Sequence, residues 1–176
     1  MMNTVRKRIT ILMNQGGFTI LEVTIVVAII GICTALAVPS FIPWLANQKI
    51  KSSARNIASA MQLARSRAIS TNSDIVLTFD TGNRTSVVGS DPAQSLEANV
   101  SFGMIAGSSG VNDLPADTTD GITWNPTTVT FQSNGQCDAN GAVYLKASDN
   151  SKAYAVECRV SGRVAIYQWD GSAWRR

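Results

Sequence analysis

One carboxylate, Glu22, stands near the start of an apolar run that continues to Val38, and it constrains this chain more than any other feature. An acidic residue in a membrane helix costs about 2.5–3.5 kcal/mol at the centre and less near an end. Such a group either snorkels to water or acquires a partner. The flanks decide between the two readings. Basic Arg6, Lys7 and Arg8 come first, then polar Asn14 and Gln15, then Gly16-Gly17, and only then the apolar run. A secretory signal places its small-residue cleavage site after the apolar segment. Here the small residues precede it.

That order, with Phe18-Thr19-Ile20-Leu21-Glu22 following the glycines, resembles the N-terminus of type IV pilins and type II secretion pseudopilins. The resemblance implies that prepilin peptidase cuts between Gly17 and Phe18 and that the new N-terminal Phe18 is N-methylated. It also implies a role for Glu22: neutralising the N-terminal ammonium of a neighbouring subunit as the helix enters a filament. The physics agrees, because an ammonium and a carboxylate, each costly in lipid, become tolerable as a pair.

Composition sets the remaining bounds. The chain of 176 residues allows one membrane segment and one modest domain. Its formal charge of +3 misleads, since Arg6, Lys7 and Arg8 in the leader account for the whole excess of 15 Lys and Arg over 12 Asp and Glu. The mature chain is therefore formally neutral, and only local charge patterns can argue for a polyanion. The leader cations read as topology signals that keep the N-terminus in the cytoplasm and send the C-terminal domain across the membrane. No histidine occurs, which excludes a Ser-His-Asp triad, a Cys-His pair and an HExxH zinc site. The chain reads as a non-enzyme without a cofactor.

Residues 18–38 supply about the 20 residues needed to span a bilayer. Pro39 and Pro43 follow, so a kink or break is expected there. Beyond them, Ile50, Ala54, Ile57, Met61, Ala64 and Ala68 recur at steps of four and three, one narrow apolar stripe. Lys49, Lys51, Arg55, Arg65 and Arg67 lie off it and read as the solvated face. A helix from residue 18 to about residue 70 would be roughly 80 Å long. After Asn72 the helical period ends. Strands are expected at 74–80, 85–88, 100–105, 121–124, 128–132, 142–147, 153–160 and 163–169, separated by tight turns and without helical crossovers. That pattern predicts an antiparallel sheet covered by the helix stripe. Residues 106–120 show little periodicity and read as a surface loop.

Three further segments narrow the resemblance: Ser66-Arg67-Ala68-Ile69, then Val129-Thr130-Phe131-Gln132-Ser133-Asn134-Gly135, then Val160-Ser161-Gly162-Arg163-Val164. In this order they are similar to the GspH/FimT group, which holds the minor pseudopilins H of type II secretion and the FimT-like minor pilins. Membership implies an α+β fold, with a long N-terminal helix, membrane-spanning in its first half and amphipathic in its second, packed on an antiparallel β-sheet domain. The divisions expected are a leader at 1–17, a helix at 18–71 (18–38 in the membrane, 39–71 on the sheet) and a β-rich domain at 72–176. The implied role is to initiate or cap a periplasmic pseudopilus or a type IV pilus. The partners would be prepilin peptidase, other pseudopilins or minor pilins, and the bacterial inner membrane.

Cys33 lies in the apolar run as a small hydrophobe. Cys137 and Cys158 fall in the domain that the topology places in the oxidising periplasm, and a disulfide between them is expected, provided that their strands align. Asp113, Asp117 and Asp120 lack EF-hand spacing and read as a solvated loop with no metal. The C-terminus offers the alternative function. Arg159, Arg163, Arg175 and Arg176 interleave with Trp169 and Trp174, the residue types of a nucleic-acid surface. DNA-binding FimT-like pilins carry Gly-Arg-x-Arg near the C-terminus. Here Gly162, Arg163 and Val164 match, but Ala165 replaces the second arginine, removing one phosphate contact. A structural β-hairpin, 163–169 with 171–174, is the preferred reading of this region.

Overall fold

In the computed structural model, which describes residues 17–116 and 119–176 (without the side chains of 38–40), Thr19 opens the first helix. Its hydroxyl accepts the Glu22 amide at 3.2 Å, and its carbonyl accepts the Val23 amide. Thr19 and Glu22 therefore occupy the first and last positions of a Thr-x-x-Glu capping sequence, with the acid in the first turn, where the helix dipole favours it. Helix α1 spans Ile20–Thr71. The backbone stays helical through Pro39 and Pro43, so the expected break does not occur; the prolines remove two amide donors, but the turns on either side persist. The helix ends where Asn72 turns left-handed (φ 49°) and the Ser73 amide reaches back to the Ala68 carbonyl at 3.2 Å.

The described residues divide into two compact units between Phe41 and Ile42. In the first, the described helical side chains are exposed throughout, Ile20, Leu21, Ile29, Ile30 and Leu36 among them. In the second, the six stripe residues predicted from spacing, Ile50, Ala54, Ile57, Met61, Ala64 and Ala68, are all buried. Burial of a side chain the size of Ile57 or Met61 contributes roughly 1.5–3 kcal/mol.

Two antiparallel sheets share that core. One has the order β3-β2-β1-β5, built from β1 (Ile75–Asp80), β2 (Thr85–Val88), β3 (Gln94–Ser95) and β5 (Thr128–Phe131). The other has the order β4-β6-β7-β8-β9, built from β4 (Val100–Phe102), β6 (Gly141–Ala147), β7 (Ala153–Cys158), β8 (Val164–Trp169) and β9 (Trp174–Arg175). In the first sheet Leu77, Phe79, Val88, Val129 and Phe131 join the helix stripe in the main core, while Thr78 and Asp80 on β1 face out. This is the alternation of a half-covered sheet. The second sheet differs. Val143, Leu145, Tyr154 and Val156 face the helix-bearing core, whereas Ala142, Tyr144, Ala155, Ala165 and Tyr167 form a separate cluster with Val111 and Leu114.

The segment expected to be a surface loop is thus in part a lid. Val111 is fully buried, its amide donates to the Tyr144 hydroxyl at 2.9 Å, and that hydroxyl donates to the Pro115 carbonyl at 3.2 Å. Two apolar side chains, Val111 and Leu114, are enough to seat it, too few to raise a periodic signal. The expected strand at 121–124 is also corrected. It makes a single bridge, Ile122 to Val143, because the Thr123 hydroxyl takes the Ala142 amide at 2.7 Å that a regular ladder would give to a carbonyl. Trp124 instead lies buried and stacked on Phe79, ring centroids 6.3 Å apart. The short β3 was not foreseen, and the last strand is Trp174–Arg175 rather than 171–174.

Candidate functional site

The apolar helix carries the first candidate surface. Over Ile20–Ala37 the mean hydropathy is 2.5 and none of the segment is buried. A predominantly apolar window of 18 residues approaches the length needed to cross a bilayer. Phe18, at the expected cut, is 82 % exposed, and Gly17 has open space around it. Glu22 is exposed in the first turn, and Cys33 is exposed further along. Arg6, Lys7, Arg8 and Gly16 lie outside the described residues.

The three segments singled out in the domain meet at one junction. Arg65 Nε donates to the Gly135 carbonyl at 3.0 Å. Gly162, with φ 74°, sits so close that a Cβ there would fall 2.1 Å from the Gly135 oxygen and 2.7 Å from Arg65 Nε. A Cβ on Gly135, with φ 79°, would fall 2.8 Å from Ile69 Cδ1. Gly162 needs glycine for two reasons, a left-handed backbone and the approach of a backbone carbonyl, whereas at Gly135 the left-handed backbone decides, since the Ile69 methyl can move aside. Beside them the Cys137 amide donates to the Val160 carbonyl at 3.0 Å, and the Cys137 and Cys158 sulfurs adjoin in the core with their Cα atoms 7.2 Å apart. Helix end and both sheets are locked together here.

The C-terminal cations are distributed unequally. Glu157 is 2 % exposed, and its carboxylate accepts the Tyr167 hydroxyl at 3.0 Å, the Asn112 amide at 3.0 and 3.1 Å, and a contact from Arg159 Nε at 2.5 Å. Arg159 also grips Asp113 on the lid at 2.5 Å. The hydrogen bond that Arg159 donates to Asp113 raises the Arg159 pKa and holds the Asp113 carboxyl below its usual value. Arg175 pairs with Asp170, which also caps the last turn through the Ser172 and Ala173 amides; Arg175 foremost among these holds Asp170 well below the carboxylate range. The Trp174 indole donates to the Ser109 carbonyl at 2.6 Å and packs tilted on Trp169, centroids 5.2 Å apart. Arg163 and Arg176 are exposed, with no carboxylate at ion-pair distance among the described residues. Ala165 is buried beneath the lid.

Of the acidic trio, Asp113 is bound to Arg159 and Asp120 accepts the Ile122 amide at 2.9 Å; Asp117 lies outside the described residues. Sequence reasoning missed the buried Glu157 network, because a single Glu in an otherwise apolar strand gives no indication of which face is covered. It also read Lys51 and Arg55 merely as a solvated helix face, although their four-residue spacing already placed them on one side.

Comparison with known proteins accords with this geometry. The family model for the type II transport protein GspH matches residues 53–162, well over half of the chain, and the prokaryotic N-terminal methylation motif matches residues 12–38. No match to a curated protein sequence was found. Among solved structures, the type IV minor pilin FimU of Pseudomonas aeruginosa PAO1 aligns at 13 % identity and a TM-score of 0.50, covering 70 % of this chain and 92 % of that one, which shows a shared fold. The minor pseudopilin EpsH from the Type 2 Secretion System of Vibrio cholerae aligns at 12 % identity and a TM-score of 0.46, covering 67 % and 95 %. With an exposed apolar helix, a helix stripe on antiparallel sheets and a matching domain model, the chain belongs to the GspH family of pilin-like proteins.

Proposed function

We propose that this chain is a minor pseudopilin or pilin subunit that helps to initiate or cap a periplasmic filament, in type II protein secretion or on a type IV pilus. The observation that carries the reading is an apolar, exposed helical segment, Ile20–Ala37, whose first turn holds one carboxylate, Glu22, in a chain with a GspH domain. In this reading prepilin peptidase cuts between Gly17 and Phe18 and Phe18 is N-methylated. Residues 1–17 are the leader, residues 18–38 anchor the protein in the inner membrane with the N-terminus inside, and the β-rich unit lies in the periplasm. There Cys137 and Cys158 form a disulfide. Glu22 receives the ammonium of a neighbouring subunit as both helices enter the filament.

The DNA-binding alternative is the weaker reading. Arg159 and Arg175 are engaged by carboxylates, Trp174 is held by Ser109 and Ala165 is covered, leaving Arg163, Arg176 and Trp169 to recruit phosphates and bases. Mass spectrometry of the mature N-terminus tests the main reading. A methylated Phe18 is the expected first residue; any other start defeats it.

A further inference from the structure

From residue 42 to its end, helix α1 carries five cations and no acid. Arg67 is paired with Asp91 at 2.6 Å, and Arg65 is spent on the Gly135 carbonyl. Lys49 lines a separate hollow with Ile42 and Leu45, and Lys51 and Arg55 remain, four residues apart on one side of the helix, where like charges repel. They line a groove of about 490 Å³ whose opposite wall comes from β8 and β9 and brings Arg175 and Arg176. The acid that lines it, Asp170, is taken by Arg175 and by the turn amides. The floor is Ile166, Tyr154 and Tyr167, and the Tyr154 hydroxyl is spent on Gln168 at 3.1 Å.

We propose that this groove is a docking site for an acidic segment of a neighbouring subunit, whose carboxylates lie between Lys51 and Arg55 on the helix and Arg176 just beyond the last strand, Arg175 being held by Asp170. The proposal rests on the reading of the chain as a filament subunit. Cations converging from two walls suit carboxylates, which arginine binds through paired donors. On the floor the partly exposed Ile166 offers an apolar contact to the aliphatic residues that accompany acids in a peptide. A nucleic acid would use ring faces for stacking, but Tyr154 and Tyr167 are 4 % and 9 % exposed and offer none. Opposite charge at such a site also selects against basic partners.

The test uses the full-length processed chain in detergent and a fluorescein-labelled peptide of alternating glutamate and leucine, read by anisotropy. Saturable binding is expected. It should weaken about tenfold in a Lys51→Ala/Arg55→Ala double variant and persist in Arg163→Ala, which lies outside the groove. The double variant should melt with the parent, since it leaves the stripe intact. Absence of saturable binding, equal binding by parent and double variant, or stronger binding of a DNA duplex that the same double variant abolishes would each overturn the proposal. Co-purification of the parent chain with partner pilins is scored separately. A chain that assembles but ignores the peptide overturns the groove alone; one that does not assemble overturns the reading beneath it.

Discussion

Ala165 on β8 stands directly across from Glu157 on β7, and both lie under the lid formed by residues around Val111. The position at which a second arginine would complete Gly-Arg-x-Arg is therefore a small buried residue beside a carboxylate already satisfied by Arg159, Tyr167 and Asn112. Ala165→Arg should displace the lid and destabilise the domain by about 1–3 kcal/mol through overpacking. A lower urea midpoint with unchanged slope would bear this out. An unchanged midpoint would mean that the lid is not packed as described.

Gly162 and Gly107 separate two costs. Both have positive φ, 74° and 82°, but a Cβ on Gly107 meets no atom within 4 Å whereas one on Gly162 strikes the Gly135 carbonyl. Gly107→Ala should cost roughly 1–2 kcal/mol, the left-handed backbone penalty. Gly162→Ala should add about 1–3 kcal/mol for the collision. Equal losses in chemical denaturation would refute the junction at Arg65.

Acid should loosen the lid. The Asp113 carboxyl is held below its ordinary value, first by its hydrogen bond to Arg159. A depressed folded pKa contributes stability above the unfolded value, near 3.9, and that contribution is lost as pH falls through the folded value. The pair is largely exposed on the Asp113 side, so the effect is screened and modest. Exchange of the Val111 amide, corrected for its intrinsic rate, should speed up below about pH 4. In Asp113→Asn the acceleration should be present already at neutral pH; a parental pH profile in that variant would rule the latch out.

Glu22→Ala should leave cleavage after Gly17 and membrane insertion intact while reducing recovery with partner pilins several-fold. The helix start loses only an acid from a first turn that Thr19 still caps. Undiminished recovery would leave Glu22 with the capping role alone.

The helix stripe was legible because its period is local: Ile50 to Ala68 are fixed on one side by 3.6-residue geometry, whatever they pack against. Most strands were legible for the same reason, with alternation and turn residues such as Ser133-Asn134-Gly135 marking their limits. The apolar run and Glu22 were equally plain, since hydropathy and a single misplaced charge need no tertiary partner to be seen. What the sequence alone determined was therefore the class of the chain, its exposed apolar helical segment and the buried stripe on the rest of that helix. The tertiary structure decided everything that depends on which distant surfaces meet. It split the strands into two sheets, laid Val111 and Leu114 over the second, buried Glu157 beside Ala165, and set Lys51 and Arg55 opposite Arg175 and Arg176. These pairings join residues 8 to more than 100 positions apart on the chain. No local period encodes them, because they arise from packing complementarity between elements already formed.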